Sequence, residues 1–195
     1  WEFLSHPLLN KHHSSSNLQD TFNKLRNSWK ENTNKMLNLE EKNNSIFING
    51  YNLHEELTPE VPLNEISLLC NPTYRYGKQL NSDLQELQIR EDTIKEFISY
   101  SVGCMFGRYS LDEKGLILSK QGSSLLDYLK RIPKPTFTPD DDNVIPVLNL
   151  DWFEDDITGR FSKFLRITFG EENFEENMRF IENSIGKTIR NYFIN

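Results

Sequence analysis

A chain of 195 residues with 36% hydrophobic and 12% aromatic content has enough apolar mass for one core, or for one domain with a helical extension. Its formal net charge of −7 excludes a segment that coats nucleic acid on its own and leaves room for a local basic patch only. No apolar run approaches the ~18 residues that span a membrane, no secretory leader is visible, and Cys70 and Cys104 form no Cys-x-x-Cys pair, which predicts reduced thiols in a cytoplasmic protein.

In chain order, Trp1 to Leu9 is an apolar opening segment and Lys11 to Asn17 a polar, Ser-rich tract. The start at Trp1, without a Met, predicts a piece of a longer protein. His6, His12 and His13 lie close together, but their spacing fits no zinc pattern, so the tract reads as solvated loop with no metal. Leu18, Phe22, Leu25, Trp29, Met36 and Leu39 then alternate steps of four and three, with Asn32 as the polar interruption. This heptad-like seam predicts one long amphipathic helix from about Asn17 to Asn49, continuing through Ile46 and Phe47 and packing on another helix.

Leu53 to Pro62 reads as an extended acidic connector, Ile66 to Cys70 as a short strand candidate, and Asn71-Pro72-Thr73-Tyr74 as a turn. The stretch 89–108 is the predicted central helix. Ile94, Phe97, Ile98, Val102, Met105 and Phe106 share one stripe, and Ser99, Ser101, Gly103, Cys104 and Gly107 let neighbours approach closely. Leu116 to Leu118 is a second strand candidate, and a helix over Ser123 to Ile132 stops at Pro133. Pro133 to Asn143, with Asp140-Asp141-Asp142, reads as a solvated loop. Ile157, Phe161, Phe164, Leu165 and Thr168 form a further stripe ended by Gly170. Phe174, Met178, Ile181 and Ile185 form another, ended by Gly186, and the two helices suggest an antiparallel pair. Ile189, Tyr192 and Phe193 close the chain as candidates for contact with a neighbouring domain.

The expected fold is mainly α: an irregular helical bundle with a long amphipathic helix and at most a few short strands. Its expected parts are 1–50 (opening segment and long helix), 51–132 (core with the central helix), 133–143 (acidic Pro-rich loop) and 144–195 (C-terminal helical subdomain).

Three groups invite a chemical reading. Asn71-Pro72-Thr73-Tyr74 is close to the Asn-Pro-Pro-Tyr with which amino-methyltransferases hold the exocyclic amine of a flipped base. Thr73 replaces the second proline and no Gly-rich cofactor loop lies upstream, so no catalytic or cofactor-binding residue is assigned and a structural turn is preferred. Asp151, Glu154, Asp155 and Asp156 crowd around Trp152 and Phe153 before a helix. The spacing is not that of a calcium loop, and acids at a helix start favour the dipole without a metal. Arg75, Tyr76 and Lys78 form one basic–aromatic group and Arg108 with Tyr109 another; Arg75, Tyr76, Lys78 and Arg108 are the DNA-contact candidates.

Several segments resemble one family: Glu55-Glu56-Leu57-Thr58-Pro59-Glu60-Val61-Pro62-Leu63, Cys70-Asn71-Pro72 with Tyr74-Arg75-Tyr76-Gly77, Ile98 through Asp112, and Asp151 through Asp156 with Gly159-Arg160-Phe161. They resemble the region after the catalytic domain in PglX-type adenine-specific DNA methyltransferases of bacterial BREX phage-defence systems. The resemblance spans nearly the whole chain, with 103–112 and 151–161 as its most specific parts. It implies a parent that methylates adenine with S-adenosylmethionine, and a fragment that holds no cofactor itself. It further implies a helical spacer between the catalytic domain and the target-recognition region. The partners expected from it are those flanking domains, DNA through the parent, and other defence proteins, with no membrane. The alternatives are the same region of a bifunctional restriction-modification enzyme, or a stand-alone protein-interaction module.

Overall fold

The computed structural model describes residues 6–9, 17–149 and 155–194. Among them are seven α-helices and no strand: α1 (Leu18–Tyr51), α2 (Pro72–Tyr76), α3 (Ser82–Met105), α4 (Leu125–Arg131), α5 (Ile157–Phe169), α6 (Phe174–Ile185) and α7 (Ile189–Ile194). The architecture is mainly α. No helix of the described residues is long and apolar enough to cross a membrane. The chain divides into two compact units, residues 1–22 with 91–195, and residues 23–90.

α1 starts where Asn17 offers its side-chain oxygen to the Gln19 N–H at 2.7 Å and to the Asp20 N–H at 3.3 Å, an N-cap. Its predicted seam holds at first: Leu18, Phe22 and Leu25 are buried. Further on it fails. Leu39, Ile46 and Phe47 are more than half exposed, whereas Ile48 is buried. A straight α-helix drifts by about 20° per heptad against a seven-residue repeat, so the inward stripe moves off the seam over several turns.

In the unit formed by residues 23–90, Leu25, Ile48, Ile66 and Ile89 supply the buried apolar side chains. The expected strand at Ile66 to Cys70 is absent. Ile66 closes a 3-10 turn over Leu63–Glu65, and Leu68 and Asn71 each donate an N–H two or three residues back, at 2.8 Å in both cases. This backbone bonds locally instead of laddering.

The other unit is organised around the C-terminal part of α3, where Ile94, Phe97, Ile98, Tyr100, Cys104 and Met105 are buried. Phe97 packs on Phe164 at 5.9 Å between ring centres, and Phe137 meets Phe164 edge-on at 5.3 Å. Asn177 of α6 accepts the Leu18 N–H at 2.7 Å. α3 ends earlier than expected because Gly107 takes a left-handed φ of 67°. The Arg108 N–H then reaches Gly103 O at 2.8 Å and the Gly107 N–H reaches Cys104 O at 3.1 Å, the two bonds of a Schellman stop. Phe106, expected in the core, falls on this stop and is exposed.

Leu116 to Leu118 does not form a strand either. Ile117 and Leu118 donate to Arg108 O at 2.9 Å and Gly107 O at 3.2 Å, two bonds without a ladder. The helix expected over Ser123–Ile132 is α4, with a capping box between Ser124 and Asp127.

Most of the Pro133–Asn143 segment is exposed, as its prolines and acids suggest, but it is tied into the core at two points. Phe137 and Asp140 are buried, the Asp140 N–H donates to Met105 O at 2.7 Å, and its carboxylate pairs with Arg160 of α5. His6 departs from its expected loop as well. It is buried against Phe97 and Tyr100, and its Nδ1 accepts the Leu8 N–H at 3.3 Å. Burial pushes its pKa down to about 3. His12 and His13 lie outside the described residues.

Candidate functional site

Asn71 is the residue on which any methyltransferase reading of the tetrapeptide depends, and its side chain makes three hydrogen bonds within its own segment. The amide nitrogen donates to Leu63 O at 2.6 Å and Ile66 O at 3.0 Å, while the amide oxygen accepts the Thr73 N–H at 3.2 Å. Asn71 is buried and N-caps α2, with Pro72 at the first helical position. Asn71-Pro72-Thr73-Tyr74 is therefore the start of a helical turn, tighter than the plain turn expected. Buried, with both amide hydrogens used, Asn71 keeps only the second lone pair of its amide oxygen uncommitted.

Asn71, Pro72 and Thr73 do line a cavity of about 250 Å³, together with Arg26, Lys30, Ser82, Gln85 and Glu86. Gln85 ties the wall together, donating to Gly77 O at 2.8 Å and Leu80 O at 3.1 Å and accepting from Thr73 Oγ1 at 3.2 Å. Arg26 is buried and grips Glu86 through Nε at 2.8 Å and Nη2 at 2.7 Å. That hydrogen bonding holds the Glu86 carboxyl below its ordinary pKa.

The other unit has a larger cavity, about 800 Å³, beside α5. Arg160, Lys163 and Arg166, three residues apart, line it along one face of the helix with Phe137, Asp141 and Asp155. Arg160 is paired with Asp140 and with Asp155 at 2.8 Å, and Arg166 with Glu171 at 2.9 Å, lying 3.6 Å over the Phe174 ring. Lys163 is exposed. The sequence carries this basic row as an i, i+3, i+6 spacing, a signal separate from the basic–aromatic pairs.

Of the DNA-contact candidates, Arg75, Tyr76 and Lys78 belong to the 23–90 unit and Arg108 to the other. The Arg75 guanidinium lies 5.4 Å from its neighbour's ring, that of Tyr76, and Lys78 is exposed beyond the turn at Gly77. Arg108 is exposed and lies 5.8 Å from the Tyr109 ring. Of the interdomain candidates, Ile189 is buried within its own unit, whereas Tyr192 and Phe193 are half-buried, Phe193 meeting the Phe161 ring at 6.1 Å.

In the acidic cluster, Asp156 is the N-cap of α5, accepting the Gly159 N–H at 2.7 Å, and Asp155 pairs with Arg160. Asp151 to Glu154 lie outside the described residues. Asp140, Asp141 and Asp142 bring carboxylate oxygens within 4.8 Å of one another, but Asp140 already accepts from Arg160 and from the Val144 N–H at 3.0 Å. The buried Cys104 thiol is pushed up to about 12 by desolvation, far from nucleophilic behaviour at neutral pH.

Fold and site together define a mainly α-helical segment in which the methyltransferase-like tetrapeptide caps and opens a short helix. Comparison with known proteins gives that segment its kin. It is 38% identical over 151 residues to the adenine-specific methyltransferase BrxX of Escherichia coli O9:H4 (strain HS), covering 77% of this chain and 12% of that protein. It is 33% identical over 192 residues to the adenine-specific methyltransferase PglX of Lacticaseibacillus casei (strain Zhang), covering 96% of this chain and 14% of that protein. No family model matches. The chain is homologous to a region of the PglX-type adenine-specific methyltransferases and spans about an eighth of their length.

Proposed function

We propose that this chain is the non-catalytic helical connector of an adenine-specific DNA methyltransferase, joining an S-adenosylmethionine-dependent catalytic domain to a target-recognition region. The observation that carries the reading is homology to a short region of two such methyltransferases, combined with an Asn71 whose amide is engaged inside its own fold. In this role the chain sets the spacing and orientation between chemistry and target reading, and it modifies self-DNA for phage defence only through the parent. Arg75, Tyr76, Lys78 and Arg108 are the DNA-facing residues of this proposal, and Tyr192 and Phe193 contribute to a joint with a flanking domain.

Calorimetric titration of the isolated chain with S-adenosylmethionine tests the first half, with no binding in the micromolar range expected. The second half is tested in the parent by replacing Asn71 with Ser and measuring adenine methylation of plasmid DNA. A connector role predicts activity that falls only in proportion to lost folded protein. Complete loss of methylation by a fully folded variant would return Asn71 to the chemistry and sink the reading.

A further inference from the structure

We propose that the outer face of α1 over residues 39–51 is a docking surface for a flanking domain of the parent polypeptide, an occupant that rests on the connector role. Leu39, Ile46, Phe47 and Tyr51 are 54%, 60%, 54% and 71% exposed. Steps of seven and four place Leu39, Ile46 and Gly50 on one line along the helix, with Phe47 and Tyr51 beside it. The Phe47 and Tyr51 rings lie nearly parallel, at 6.4 Å between centres, so one helix face presents them together.

Gly50 is not explained by its own unit. It lies within α1, which stops two residues later, where Asn52 takes a left-handed φ of 59° and the Leu53 N–H reaches Ile48 O at 2.9 Å. A Cβ added at Gly50 meets nothing within 4 Å. Glycine within a helix is less stable than alanine, and nothing described in the unit needs the missing side chain. What the gap beside Ile46 does provide is room for a partner backbone to come close to the helix.

The size of the face selects the occupant. At about 200 Å² per large side chain, the four exposures amount to roughly 500 Å². A patch of that size on a monomer is often functional, yet it falls short of the ~800 Å² per partner typical of a stable free complex. It suits a domain that is already tethered, because a shared chain raises the local concentration to about millimolar. Most of each relative lies outside the matched region, which is 12% of BrxX and 14% of PglX.

Hydroxyl-radical footprinting of Phe47 and Tyr51 tests this, comparing the 195-residue chain at low and high concentration with the full-length parent in the absence of DNA. An effective concentration of about 1 mM against a dissociation constant of about 0.1 mM leaves the face open about a tenth of the time, so protection in the parent is about tenfold. Gly50→Leu, which fills the approach, and Ile46→Gln, which removes apolar contact, should each return most of the labelling in the parent. Both should leave the urea midpoint of the isolated chain unchanged, since both positions are exposed. Equal labelling of chain and parent, or protection that neither variant alters, overturns the proposal. So does protection in the isolated chain: if it grows with concentration a second copy covers the face, and if it is constant the chain covers the face itself. Failure of the connector role shows instead in methylation by the Asn71→Ser parent, which the footprint does not use.

Discussion

Arg190 of the last helix reaches the carboxylate of Asp156 at 3.0 Å, while the other oxygen of that carboxylate caps α5 through the Gly159 N–H at 2.7 Å. The same guanidinium nitrogen donates to Leu148 O at 2.7 Å. One buried acid therefore starts a helix, anchors the chain end and fixes the segment that precedes it.

Replacing Asp156 with Ala removes the cap and strands a largely buried cation together. Cap loss costs about 1 kcal/mol, and breaking a buried ion pair about 3 to 5 kcal/mol. Asp156→Asn keeps a capping acceptor and should cost less than Asp156→Ala. Urea unfolding of both variants checks the order; equal losses would show that the pair with Arg190, not the cap, carries the effect.

Two glycines at the end of α3 are constrained for different reasons. A Cβ on Gly103 would sit 2.5 Å from the Tyr109 ring, which itself stacks on Tyr100 at 5.0 Å between ring centres. Gly103→Ala must displace that ring and should cost about 1 to 3 kcal/mol, as overpacking does. At Gly107 the backbone φ of 67° is the obstacle, and a Cβ would also touch Leu118 at 3.0 Å. Gly107→Ala should cost about 1 to 2 kcal/mol. Thermal unfolding of each checks the values, and in a Tyr109→Ala background Gly103→Ala should cost less than it does alone, because the clash is gone.

His6 predicts a pH dependence with a definite sign. Its pKa is about 3 folded against 6.5 for the ordinary side chain, so the unfolded chain binds the extra proton between those values. Its contribution is fully present above about pH 6.5 and is lost as pH falls toward 3, at up to about 1.4 kcal/mol per pH unit. His6→Asn, which retains an acceptor for the Leu8 N–H, should flatten this slope. Denaturant titrations at pH 7, 6 and 5 measure it, and an unchanged slope would place the proton uptake elsewhere.

At the chain's end, Phe193 leans on the buried Phe161, whereas Tyr192 faces Phe193 at 5.8 Å and lies under Lys187 at 5.8 Å. Phe193→Ser should therefore destabilise the unit, while Tyr192→Ser should leave its unfolding midpoint within about 0.5 kcal/mol of the parent, as surface changes do. Sedimentation of Tyr192→Ser reads the proposed joint: reduced self-association without loss of fold supports it, and no change at any concentration removes Tyr192 from it.

The longer helices were legible because each carried its own signal, whereas the short α2 read as a turn. Asn17 and Gly170 bracket elements almost where the caps lie, and the stripes of α5 and α6 are regular in the sequence. What was not legible depended on partners distant in the chain. Ile66 is as apolar as a strand residue, but its neighbours bond to themselves; His6 looked polar and solvated until Phe97 and Tyr100 closed around it. Asp140 sits in a run of three acids that resembles solvent-facing loop, and Met105, through its carbonyl, and Arg160, twenty residues on, pull it inward. The engagement of Asn71 was hidden for a different reason: its acceptors, the carbonyls of Leu63 and Ile66, are near in the chain but are presented by a 3-10 turn in place of the expected strand.

The buried thiol of Cys104 has a practical corollary. Because burial keeps it protonated and shielded, a thiol reagent reaches it only when the C-terminal part of α3 opens. Cys70, half-buried in the other unit, is the comparison within the same molecule. The ratio of their labelling rates is thus a stopwatch for local breathing, needing no added probe, and it would register a stiffening of this region when flanking domains are attached.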